Sequence, residues 1–168
     1  MPDAPGLELL RGEIERDRPG AVLATSFDRE QAALIVDAEQ VLDVLAWLRD
    51  TPGQGYRFLS SLHVANYLPA EPRFGVHYEM LNRERVERLR VKAMLPGEGP
   101  EIDSVTDLFP TANFQEREAF DFFGVVFRGH PELTRILLPE DYVGWPQRRD
   151  FPIGGEPVTF TYSEERYG

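Results

Sequence analysis

At Thr51-Pro52-Gly53 the spacing of apolar residues changes from a period of about 3.6 to a period of about 2. Before it, Val41, Val44, Leu45 and Leu48 fall at i, i+3, i+4 and i+7 within residues 38–49, the pattern of an amphipathic helix. After it, Phe74, Val76, Tyr78 and Met80 alternate with Arg73, His77 and Glu79. Leu89, Val91, Ala93 and Leu95 alternate with Arg88, Arg90 and Lys92, and residues 56–64 follow the same rule less cleanly. Alternation gives each strand one apolar face, so this region reads as three strands of a sheet covered on one side.

The flanking segments extend the pattern. Leu7, Leu10 and Ile14 recur at helical spacing until Pro19-Gly20 stops them. Residues 21–27 and 31–36 are short apolar runs around Asp28-Arg29-Glu30, which reads as two strands with a tight connection. Pro96-Gly97-Glu98-Gly99-Pro100 is a loop, and Ser104 or Thr106 is placed to cap a turn. Residues 111–123 form a helix, with Gly124 free to turn left-handed just past its end. The expected fold is α+β over residues 1–127: one sheet covered by helices, in the order helix, two strands, helix, three strands, helix.

Residues 128–168 differ in character. Prolines at 131, 139, 146, 152 and 157 exclude long helices and a central strand. Ile136, Leu137, Leu138, Tyr142, Trp145, Phe151, Phe160 and Tyr162 are nevertheless costly to leave in water. Both facts fit an extended Pro/Gly-rich arm laid along a partner.

Composition narrows the chemistry. The 168 residues, 42% of them hydrophobic, suffice for one core. There is no cysteine, hence no disulfide, thiolate nucleophile or all-cysteine iron-sulfur cluster. A formal net charge of −11 repels nucleic-acid phosphates and anionic lipid. Residues 1–18 lack the apolar stretch of a signal peptide, and no run approaches the roughly 18 apolar residues of a membrane span. A soluble chain held at a membrane only by partners is expected.

The densest polar cluster is Glu116-Arg117-Glu118 with Asp121, in which Arg117 and Asp121 are i, i+4 neighbours. Acid–base use of those carboxylates needs a shifted pKa and a second group such as histidine, and the sequence supplies neither. Phe114, Phe120, Phe122 and Phe123 leave little of this helix for water, so it reads as an interface. His63, His77 and His130 stand far apart without metal-ligand spacing. His77 is expected on the polar face of a strand, and His130 is aimed by the rigid Gly129–Pro131 turn, either at nearby backbone or outward. Gly154-Gly155 lacks the rest of a dinucleotide fingerprint. The Arg88, Arg90 and Lys92 stripe is a solvated face or a dock for an acidic neighbour, and Arg135, Arg148 and Arg149 are candidate contact points.

Residues 116–137, from Glu116-Arg117-Glu118 through Asp121, Phe122, Phe123-Gly124 and Gly129-His130-Pro131 to Arg135-Ile136-Leu137, resemble the signature of the respiratory complex I 30 kDa subunit family in its bacterial form. The resemblance continues upstream through 104–109 and 112–114, and downstream through Pro139–Gly144 and Arg148-Arg149-Asp150-Phe151-Pro152. Two departures stand out: Trp145-Pro146-Gln147 occupies a place usually histidine, proline, leucine, and Phe114 one often held by tryptophan.

The resemblance implies a non-catalytic scaffold subunit in the quinone module of an NADH:quinone oxidoreductase that couples electron transfer to proton translocation. It implies a peripheral place on the cytoplasmic side of the bacterial membrane, against the large quinone-site subunit and iron-sulfur subunits. Flavin mononucleotide (FMN) and iron-sulfur clusters are then expected in those partners and no cofactor in this chain. Glu116, Arg117, Glu118, Asp121, Phe122, Gly124, His130, Pro131, Arg135, Arg148, Arg149 and Asp150 are the signature positions expected to contact partners. A chain cut after Phe127 is expected to fold but not to assemble. The alternatives are the equivalent scaffold of a membrane-bound hydrogenase or formate hydrogenlyase, and a small enzyme using Glu118, Asp121 and His130.

Overall fold

The structure, a computed structural model, describes residues 2–152. Gly154-Gly155, Phe160 and Tyr162 therefore lie outside the described residues. Helix α1 (Ala4–Asp17) is followed by strands β1 (Val22–Asp28) and β2 (Gln31–Val36), a short 3-10 turn (Ala38–Gln40) and α2 (Val41–Asp50). Strands β3 (Phe58–Asn66), β4 (Phe74–Asn82) and β5 (Glu87–Leu95) come next. The chain continues with β6 (Glu101–Asp103), α3 (Ala112–Phe123) and β7 (Val126–Arg128).

Local chemistry sets the ends of these elements. The Asp3 side chain accepts from the Gly6 N–H to start α1, with a proline in the first turn. Gly124, at φ 69°, closes α3 in the left-handed conformation that glycine enters without a Cβ penalty. The β1–β2 connection puts Arg29 (φ 47°) and Glu30 (φ 62°) both in the left-handed region, as a tight hairpin matched to strand twist requires.

The main sheet has strand order β1-β2-β5-β4-β3. All neighbours are antiparallel except β2 and β5, which run parallel from Ala33 opposite Arg90 to Val36 opposite Ala93. Leu34, Val76, Tyr78, Leu89, Val91 and Ala93 are buried on one face, and Leu7 and Ile14 of α1 and Val41, Val44, Leu45 and Leu48 of α2 pack into the same core. Each such leucine contributes about 1.5–3 kcal/mol by leaving water. The α+β class and the helix–strand order match the sequence reading. A second, two-stranded parallel sheet, β6 with β7, was not expected from the sequence: three-residue strands are too short to show a period.

The outer face of the sheet is not left to water as expected. Arg73 and His77 are buried although their apolar neighbours point the other way. Tyr67 and Lys92 fold over Gly75, so closely that a Cβ there would sit 2.8 Å from the Tyr67 ring.

Candidate functional site

Helix α3 turns its charge inward and much of its aromatic surface outward. Ala112, Glu116 and Ala119, at i, i+4 and i+7, form the buried stripe, and Glu116 and Asp121 have no solvent exposure. Phe114 is 64% exposed. The small alanines let α3 approach closely, and the carboxylates find donors inside the protein. Glu116 and Asp121 thus face the protein interior.

Glu116 Oε1 accepts from the Val105 N–H at 2.8 Å, and Oε2 accepts from the Ser104 hydroxyl at 2.6 Å. Among the described residues no cation pairs with it. Burial pushes its pKa up to about 7, against the opposing pull of those two hydrogen bonds. The buried Tyr78 hydroxyl lacks a hydrogen-bond partner, and burial, reinforced by the charge of Glu116, holds its pKa well above the usual value.

Asp121 has the opposite surroundings. Its Oδ1 lies 2.7 Å from Arg135 Nη1, and its Oδ2 accepts from the N–H groups of Ile136 (3.1 Å), Leu137 (2.8 Å) and Leu138 (2.9 Å). Burial alone would raise its pKa, but the three amides and the guanidinium outweigh it and hold the carboxyl below its ordinary value. Arg135 also donates to the carbonyls of Tyr142 and Gly144, and Arg117 donates to the Thr134 and Arg135 carbonyls.

Residues 129–152 are therefore tied to the domain by these bonds as well as carrying exposed apolar groups. The cause is backbone demand: a proline-rich segment forms no ladder of its own, so its N–H groups bond to side chains of α3. His130 Nε2 lies 3.2 Å from the Asn113 carbonyl oxygen, and its Nδ1 accepts from the Glu132 N–H. Those partners place the ring proton on Nε2 and make this histidine a turn-closing group. Arg148 donates to the Phe123 carbonyl at 2.7 Å and lies 4.1 Å over the Trp145 ring. Trp145, one of the two departures from the family pattern, covers Gly124 so closely that a Cβ there would collide with the indole. Arg149 donates to the Leu68 carbonyl, and Arg73 grips Asp150 with both terminal nitrogens. Glu118 and Pro131 are exposed, and Phe122 lines a small cleft of about 100 Å³ together with His63, Gln115 and Glu118.

Glu118, Asp121 and His130 do not form an enzyme-like constellation, because Asp121 and His130 are each consumed by backbone partners. Sequence reasoning missed Arg73, Ser104 and Val105, which complete these contacts from distant strands and loops. It also separated two histidines that the sheet brings together. His63 and His77 are directly opposed on β3 and β4, with rings stacked at 4.9 Å and 6°. Burial, then the neighbouring His63, Lys92 and Arg90, pushes His77 down to about 3, and burial also lowers His63.

Fold and site together define an α+β domain whose densest charge cluster fastens residues 134–138 of the same chain to α3. The chain belongs to the family described as respiratory-chain NADH dehydrogenase, 30 Kd subunit, whose model matches residues 34–157. It is 44% identical over 148 residues to the corresponding NADH-quinone oxidoreductase subunit of Roseiflexus castenholzii, covering 88% of this chain and 85% of that one. The corresponding subunit of Herpetosiphon aurantiacus is also 44% identical, over 79% of this chain and 77% of its own. Among solved structures, a trypsin-resistant fragment (1-134) of Nqo5 superposes with a TM-score of 0.63 at 30% identity, covering 74% of this chain and 98% of the fragment. A chain of the membrane-bound sulfane sulfur reductase, an archaeal respiratory membrane complex, superposes at 0.70 over 95% of this chain and 90% of its own; at 23% identity it speaks to the fold alone. The protein is a subunit of the complex I type, and among the described residues no helix is long and apolar enough to cross a membrane.

Proposed function

We propose that this chain is a non-catalytic scaffold subunit of the quinone module of an NADH:quinone oxidoreductase, seated on the cytoplasmic face of the membrane against the large quinone-site subunit and iron-sulfur subunits. The flavin and clusters belong to those partners. The observation that carries the reading is the 44% identity to an NADH-quinone oxidoreductase subunit over 88% of the chain. The use made of the signature residues supports it: Glu116, Asp121, Arg135 and Arg148 spend their polar groups inside the chain. Large apolar groups meanwhile remain outside: Phe114 is 64%, Leu137 61% and Val143 89% exposed. Exposed apolar side chains on a rigidly fastened segment suit a protein partner.

Affinity purification of the tagged chain from native membranes, followed by mass spectrometry, tests this. Recovery of the large quinone-site subunit together with a flavin-bearing NADH subunit is the expected result. Recovery of hydrogenase subunits without the flavin subunit, or NADH oxidation by the purified chain alone, overturns the proposal.

A further inference from the structure

We propose that His63, His77 and Glu79 form a site for one divalent transition-metal ion of the zinc type, on the outer face of the sheet. One ligand atom from each of the three side chains can be chosen so that all lie within 4.8 Å of one another. The sheet brings them there: His63 faces His77 across the β3–β4 ladder, and Glu79 follows two residues later on the same face of β4. Nothing in linear spacing shows this, because the pairing of β3 with β4 creates it.

A stacked imidazole pair on a sheet is by itself ordinary packing. What sets this one apart is His77, only 5% exposed, whose Nδ1 is buried without a hydrogen-bond partner. Its Nε2 lies 3.0 Å from the Tyr67 hydroxyl. With the ring proton on Nε2, donated to the Tyr67 oxygen, the Nδ1 lone pair is free to bind a metal, the outer-shell arrangement that orients ligating histidines elsewhere. Glu79 is held by Arg90 through Oε1, at 2.5 Å, which leaves Oε2 available. The Lys92 ammonium is drawn to the face of the Tyr67 ring, 4.2 Å from its centroid.

Ligand atoms around zinc sit about 2.0–2.2 Å from the ion, and so roughly 3.3 Å apart in a tetrahedron. The present spacing is wider and the rings are parallel, so binding requires one imidazole to turn. His63 is exposed and free to do so. Two nitrogens and one carboxylate oxygen match zinc, cobalt or nickel, whereas magnesium and calcium want an all-oxygen shell. With three protein ligands, a water completes the coordination.

The full-length, metal-free chain titrated calorimetrically with zinc chloride at neutral pH gives the test. Saturable binding of one equivalent is expected, and His63→Ala, at an exposed position, should weaken it by at least the roughly 10–100-fold that outer-shell changes cost. Glu79→Gln should weaken it in the same direction, and His130→Ala should leave it unchanged. Cobalt(II) at the same site should give visible absorption bands that His63→Ala removes. Absence of saturable zinc binding, binding indifferent to His63→Ala, or magnesium binding as tightly as zinc would each overturn the proposal.

Discussion

Asp121 on α3 and Arg135 beyond β7 meet at 2.7 Å, and the same carboxylate gathers three consecutive backbone N–H groups of residues 136–138. One fully buried side chain thus fixes residues 135–138 against α3. Asp121→Ala should cost about 3–5 kcal/mol, the range for removing one partner of a buried ion pair. Hydrogen exchange at the Ile136, Leu137 and Leu138 amides should accelerate far more than in the β4 core. Unchanged protection at those amides would show that the segment is held by something else.

Glu116 predicts an unusual pH dependence. Its carboxyl titrates near 4.5 when unfolded and about 7 in the fold, so the folded state holds the proton more tightly. Its contribution to stability is complete below about pH 4.5 and is lost as pH rises through about 7, a span of roughly 3 kcal/mol. His77 acts in the opposite sense. It stays neutral in the fold down to about 3, so its contribution is lost as pH falls below its unfolded value of 6.5. The two partly cancel, and the informative quantity is a difference: Glu116→Gln, which still accepts from Val105, should gain stability relative to the native chain between pH 5 and 8. Urea denaturation at both ends of that interval measures it, and a constant difference would refute the assignment.

Gly124→Ala should destabilise by about 1–3 kcal/mol, because φ is 69° and the new methyl would meet the Trp145 ring. Trp145→Ala in the same chain should recover the steric share but not the backbone share, giving a clear interaction energy in a double-mutant cycle. Fully additive effects would mean that the indole does not cover the glycine in solution.

A chain cut after Phe127 should fold, because the buried core cluster lies within residues 7–127. It should nevertheless be less stable than residues 1–152 by at least the roughly 3–5 kcal/mol expected for Asp121→Ala, since every contact of the fastened segment is lost together with the partners of Asp121. Equal midpoints in urea for the two chains would contradict that fastening.

Much of the architecture was legible in the sequence because its elements are long enough to show a period. The stripe Val41, Val44, Leu45, Leu48 and the alternation from Phe74 to Met80 each report one buried face, and each is buried. Strand order was not legible: alternation reveals a face but not a neighbour, and the parallel β2–β5 pairing joins segments with no sequence cue to each other. At the site, the sequence marked Glu116 and Asp121 as charged helix positions but did not show that both point into the protein. Glu116 and Asp121 look like surface acids until the backbone of Val105 and of residues 136–138 is seen to pass beside them. The His63–His77 contact was invisible for the same reason as strand order.

The parallel β2–β5 ladder has a consequence for biosynthesis. The β1–β2 hairpin leaves the ribosome well before its other neighbour exists, because β5 is the last of the three strands still to come. Until Leu95 has emerged, the free side of Gln-Ala-Ala-Leu-Ile-Val presents unpaired amides and carbonyls beside branched aliphatic groups. Helices α1 and α2 can shield the oily face of that hairpin but not its rim. Nascent chains interrupted between Val36 and Leu95 should therefore be the species most prone to aggregate and most dependent on chaperones.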